Sequence, residues 1–152
     1  MAAERGSAFL LKIGDGTRLI SHVSVAGRVT MGRDNVVPPF CVIGGEPQDI
    51  SYAGSDTRVI VGNGNIIREG VTINRASEKE DGVTWVGDDN FLMAGCHVAH
   101  DCRLGNRIIM ANGALLGLVG YTKDDLAAGL LRWPELTPPE SMAACRCARA
   151  PP

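Results

Sequence analysis

Residues Val86–Met110 read VGDDNFLMAGCHVAHDCRLGNRIIM, and an aliphatic side chain returns there at every sixth position, as Val86, Leu92, Val98, Leu104 and Met110. An amphipathic helix spaces its apolar residues near 3.6 and a half-buried strand near 2, so a sustained period of six belongs to neither. It marks a parallel β-helix, in which each hexad supplies one short strand and a turn. The series extends back through Val61, Ile67 and Ile73, and before them Ile13, Leu19, Val25, Met31, Val37 and Ile43; forward it reaches Leu116. Glycine often follows the aliphatic residue, as in Met31-Gly32, Val61-Gly62 and Leu104-Gly105, which suits turns with positive φ.

Three hexads close one triangular coil, and each aliphatic residue stacks on its counterpart in the next coil, ~4.8 Å away. A second inward position lies two residues earlier, at Leu11, Thr17, Val23, Val29, Cys41, Val59, Val71, Cys96, Cys102, Ile108 and Ala114. The expected fold is all-β, a left-handed parallel β-helix, an exception to the right-handed crossover rule.

The hexads predict a β-helix over residues 1–118, interrupted by loops at about 45–58 and 76–84. The first loop carries the polar string Glu46-Pro47-Gln48-Asp49, the second the charged string Ser77–Gly82. Residues 119–152 lack the period. This tail reads as a short helix over Leu126–Leu136, as a disordered segment, or as out-of-frame sequence replacing further coils. The start at Lys12 already looks mid-solenoid, so a truncated protein is expected.

The chain has 152 residues with a net charge of −2, which gives no basis for nucleic-acid binding. Nineteen glycines and 5% aromatics suit a solenoid better than a large-cored globule. No apolar run approaches the ~18 residues of a membrane span, and no signal peptide is visible. Three of the five cysteines, Cys41, Cys96 and Cys102, fall at inward positions and read as small core residues. A cytoplasmic location is the expectation.

The densest polar cluster is His97-Val98-Ala99-His100-Asp101-Cys102. Val98 and Cys102 point inward by phase, so His97, His100 and Asp101 face outward or lie on a turn. Histidine accepts a proton near neutrality, and an adjacent carboxylate fixes its tautomer and stabilises the imidazolium.

The segments Ile43–Gly54, Arg68–Ile73 and Gly87–Ala111 resemble the UDP-N-acetylglucosamine O-acyltransferase family of lipid A synthesis. The Gln48-Asp49 loop and the His100-Asp101 tract together make the likeness specific, and it spans roughly Lys12–Gly117. The resemblance implies that His100 is the general base for the sugar 3-hydroxyl and that Asp101 pairs with it. It implies substrate contacts from Gln48, Asp49 and His97, and from Asn74, which stands where the family has a histidine. The oxyanion position, a backbone N–H one coil beyond the base, falls on Leu118, where the family has glycine. The implied partners are an acyl carrier protein bearing a β-hydroxyacyl group, UDP-N-acetylglucosamine, and two further copies in a homotrimer, with no metal and no cofactor. The departures at Asn74 and Leu118 predict a weak or inactive fragment.

Three alternatives remain open. Against the related N-acyltransferase of the same pathway, the Gln48-Asp49 loop argues for the O-acyl enzyme. A zinc-dependent γ-class carbonic anhydrase needs three histidines, and His22 lies far from His97 and His100 in sequence. A trimeric scaffold or pseudoenzyme would be indifferent to His100→Ala.

Overall fold

The computed structural model describes residues 9–111, together with 116, 120, 122, 124 and 125. The chain divides into two compact units, residues 1–112 and 113–152. The first unit is a three-walled parallel β-helix wound left-handed, and every third strand joins the same wall. The first wall holds β1 (Leu10–Ile13), β4 (Arg28–Met31), β7 (Arg58–Val61), β10 (Val83–Val86) and β13 (Arg103–Leu104). The second holds β2 (Arg18–Leu19), β5 (Val36–Val37), β8 (Ile66–Ile67), β11 (Phe91–Leu92) and β14 (Ile109–Met110). The third holds β3 (Ser24–Val25), β6 (Val42–Gly45), β9 (Thr72–Asn74) and β12 (His97–Val98).

Register explains how the hexad phase survives its interruptions. Leu10 pairs with Arg28 and Trp85 with Arg103, a step of 18 residues. Arg28 pairs with Arg58, a step of 30 and hence twelve residues longer than a plain coil. Arg58 pairs with Val83, a step of 25 and hence seven longer. Twelve residues equal two hexads and preserve the phase; seven displace it by one. The strands reach slightly into the expected loops: Gly45 ends β6, Arg58 opens β7, and Val83 and Thr84 belong to β10. The loops are therefore 46–57 and 75–82.

The middle of the hexad series forms the core, whereas Ile13 in the first coil is 42% exposed and Leu19, Val25, Leu104 and Met110 are half-buried. Met31, Val37, Ile43, Val61, Ile67, Ile73, Val86, Leu92 and Val98 are all buried. Full burial of such side chains is worth ~1.5–3 kcal/mol each. Of the second inward series, Val29, Cys41, Val59, Val71 and Cys96 are buried as expected, and burial raises the Cys41 thiol pKa. Ile108 departs from expectation at 36% exposed, and Cys102 is half-buried. Both lie by β13 and β14, which among the described residues pair on one side only.

The corner between the first and second walls needs glycine for a packing reason. A β-carbon on Gly62 would lie 2.7 Å from the Gly87 carbonyl oxygen, and one on Gly87 2.6 Å from that of Gly105. The coils hydrogen-bond closely there, Gly62 N–H to Val86 O at 2.8 Å and Gly87 N–H to Leu104 O at 3.0 Å.

Asparagine, absent from the expected core, forms a buried ladder at this corner. Asn35, Asn65 and Asn90 occupy the second inward position before Val37, Ile67 and Leu92 and are buried. The Asn35 amide N–H donates to Thr17 Oγ1 at 3.0 Å, and that of Asn65 to Asn35 Oδ1 at 2.9 Å. The amide of Asn90 donates to Asn65 Oδ1 at 2.9 Å and that of Ile108 to Asn90 Oδ1 at 2.8 Å. The side-chain amides of Asn35 and Asn65 reach the carbonyls of Gly62 and Gly87, at 2.8 and 2.9 Å. Asn90 Nδ2 has no such partner among the described residues.

In the second unit, the Thr122 backbone amide donates to Asp125 Oδ2 at 2.8 Å and the Thr122 hydroxyl accepts from the Asp125 amide at 3.1 Å. This reciprocal pair resembles a capping box. The helix expected over 126–136, like the 118/119 boundary, lies outside the described residues.

Candidate active site

The prism presents two regular corners and one irregular corner. Between the first and second walls, Gly16, Asp34, Gly64, Asp89 and Arg107 take positive φ in successive coils. Between the second and third walls His22, Phe40, Gly70 and Gly95 do the same. Both loops leave from the remaining corner, between the third and first walls, where the connection from β12 to β13 carries His100 and Asp101. The polar cluster and both loops are thus stacked on one edge.

His97 and His100 leave this edge differently. His97 lies on β12, facing outward beside Thr72 of β9, and its Nδ1 is 2.7 Å from the Thr72 hydroxyl. His100 lies in the turn after β12 with its side chain 27% exposed, and its Nδ1 is 2.7 Å from Asp101 Oδ2. Asp101 is more enclosed, at 14%. Its Oδ1 accepts the Ser77 amide at 2.9 Å, and its Oδ2 accepts the Ser77 hydroxyl at 2.6 Å. Its own amide donates to Thr84 Oγ1 at 2.9 Å. Burial opposes ionisation of Asp101, but the Ser77 hydroxyl, the His100 ring and the Ser77 amide outweigh it and hold the carboxyl below the usual range.

The loops are tied to each other and to this pair. Asp49 forms an ion pair with Lys79 at 2.6 Å and accepts the Ser51 hydroxyl at 2.7 Å. The Lys79 ammonium, the Ser51 hydroxyl and the Ser51 amide hold Asp49 well below the usual carboxylate range. The same pair raises the Lys79 pKa. Lys79 N–H donates to Ser77 Oγ at 3.2 Å, so one hydrogen-bonded path runs from Asp49 through Lys79 and Ser77 to Asp101 and His100.

The remaining site candidates divide. Gln48 is exposed on the first loop beside Asp49. Asn74 is buried and donates its side-chain amide to the Glu46 carbonyl, so it fastens the loop to β9. Leu118 lies outside the described residues. His22 is stacked beside Phe40, with ring centroids 5.5 Å apart, in the first coil. Among the described residues no group of three or more His, Cys, Asp or Glu is placed to hold a metal ion. No described helix is long and apolar enough to cross a membrane.

Sequence reasoning missed Ser77, Thr84 and Arg75. The Arg75 side chain is almost wholly enclosed, hydrogen-bonded to the Gly44 carbonyl at 3.0 Å and the Tyr52 hydroxyl at 3.2 Å, and paired with Glu46 at 2.8 Å. It packs over the Tyr52 ring at 5.6 Å and anchors the first loop. The usable signal was positional: Arg75 and Ser77 open a loop on the corner that carries His100.

No family profile matches the chain. Over 106 residues, 70% of its length, the chain is 55% identical to the acyl-[acyl-carrier-protein]–UDP-N-acetylglucosamine O-acyltransferase of Thermodesulfovibrio yellowstonii, of which it covers 41%. Its fold matches the crystal structure of the UDP-N-acetylglucosamine acyltransferase of Francisella novicida with a TM-score of 0.66 at 39% identity, covering 68% of this chain and 38% of that one. The Moraxella catarrhalis UDP-N-acetylglucosamine O-acyltransferase gives 0.66 at 40% identity, covering 68% and 40%. The chain thus spans about two fifths of the length of these relatives.

Proposed function

Because the β-helical region of this chain belongs to the UDP-N-acetylglucosamine O-acyltransferase family, we propose that its His100–Asp101 pair serves acyl transfer to a sugar hydroxyl. The supporting observation is the 2.7 Å contact between His100 Nδ1 and Asp101 Oδ2. With Nδ1–H donated to the carboxylate, Nε2 carries the lone pair and accepts the proton of the sugar 3-hydroxyl. The sugar oxygen forms its bond to the thioester carbonyl of a β-hydroxyacyl group on acyl carrier protein. The C–S bond then breaks, and the carrier thiolate takes back the proton from the imidazolium. Asp101, held ionised by Ser77, stabilises that imidazolium.

Gln48 and Asp49 are assigned to the glucosamine part of UDP-N-acetylglucosamine, and His97, turned by Thr72, to the same substrate. Asn74 joins them through the loop it fastens. The developing oxyanion requires a preorganised donor, assigned to the Leu118 amide; removal of such a donor typically costs ~10²–10³ in rate. Neither assembly nor activity needs a metal or cofactor in this reading. The acting form is a homotrimer in the cytoplasm, where carrier-bound acyl chains are made.

The test is transfer from β-hydroxyacyl carrier protein to UDP-N-acetylglucosamine, with sedimentation equilibrium on the same sample. Detectable transfer that falls ~10²–10⁴-fold in His100→Ala supports the base assignment. Transfer indifferent to that substitution would overturn it. A folded trimer without transfer favours the scaffold reading.

A further inference from the structure

We propose that Ser77 is a positioning residue, fixing which ring nitrogen of His100 carries the proton. The inference rests on the reading of His100 as the base. Asp101 takes φ 61°, a left-handed conformation that side chains with a β-carbon adopt infrequently. Its amide is pinned by Thr84 Oγ1 at 2.9 Å, so the backbone position is fixed from within the wall. The carboxylate torsion would ordinarily be soft. Here Ser77 holds both oxygens, its amide on Oδ1 at 2.9 Å and its hydroxyl on Oδ2 at 2.6 Å.

The Ser77 hydroxyl is itself oriented. Its oxygen accepts the Lys79 amide at 3.2 Å, which directs its single hydrogen toward Asp101. The oxygen so held is the one that meets His100 Nδ1. A fixed carboxylate oxygen opposite Nδ1 selects the Nδ1–H tautomer and leaves the lone pair on Nε2. Ser77 is fully buried, so water does not readily substitute for its hydroxyl.

The readout is the histidine ring tautomer, followed by long-range proton–nitrogen correlation in the whole chain above the imidazole titration. The parent chain should show His100 as Nδ1–H. Ser77→Ala, and Ser77→Cys of nearly equal volume, should move the tautomer ratio about tenfold toward Nε2–H, the scale of one hydrogen bond to a charged group. Ser77→Thr should restore the parent ratio. Lys79→Ala breaks the loop-to-loop ion pair but keeps the hydroxyl, so it should leave the ratio unchanged; His22, coils away, serves as internal reference. An unchanged His100 in the Ala and Cys variants would overturn the proposal, as would an equal shift in Lys79→Ala, which would assign the effect to loop anchoring. A parent chain with His100 as Nε2–H would instead remove the base reading itself.

Discussion

Two corners of the prism repeat and the third does not. At the regular corners each coil places one residue in the left-handed region at the same level, whether Gly64, Asp89 or Phe40. At the third, the coils differ: β3 runs to β4 through Ala26 and Gly27, the next two connections are extended loops, and the fourth carries His100 and Asp101. The regular corners are governed by stacking, since each residue meets its own counterpart one coil away. The third corner is governed by single contacts such as Lys79 with Asp49. Repetition fixes position here, and departures from it hold the chemistry.

The largest effect should come from the repeating part. Ile67→Ala removes a fully buried link between the two regular corners and should lower unfolding free energy by about 2–5 kcal/mol, read by urea denaturation. Asn65→Ala should cost about 1–3 kcal/mol, because the Asn90 amide and the Gly87 carbonyl lose buried partners. Asn90→Ala should cost less by the same measurement, since Asn90 Nδ2 makes no bond to the described residues. An equal cost for the two would break the ladder account.

Acid should act on the irregular corner first. Asp101 and Asp49 have folded pKa values below their unfolded ones, near 3.9. Their contribution is therefore present above about pH 4 and is lost as pH falls through the folded values. Backbone amide signals of the two loops should shift below pH 4 before those of Ile43 or Val61, and simultaneous loss of both would contradict this. The smallest effect on stability should be that of His100→Ala, within about 0.5 kcal/mol, because the ring is partly exposed and packs no core. That substitution separates the chemistry of the corner from its fold.

The hexads were legible in sequence because each aliphatic residue announces itself by period alone. The breaks in the series at the two loops are visible in sequence for the same reason, and His100 and Asp101 are adjacent there. Asn35, Asn65 and Asn90 were not so legible. An asparagine read singly suggests a turn, and its partners lie a coil away, so its burial follows only from stacking. Ser77 opens a string of charged residues and read only as the start of a charged loop. Its partner Asp101 is 24 residues on, across an insertion that shifts the phase. Ile108 was misread for the converse reason: its phase is correct, but phase alone does not bury a side chain, and Ile108 is 36% exposed.

The parallel pairing of coils has a practical consequence at the third corner. Each strand bonds to the strand three places on, so the length of chain between β6 and β7 never enters the register of Arg28 with Arg58. Segment length there is a free variable, as the unequal insertions demonstrate. The two-residue link at Ala26-Gly27 is therefore a natural splice point for protein engineering. A peptide grafted there would be displayed alongside the first loop, with the walls serving as a ruler that spaces guests by one coil.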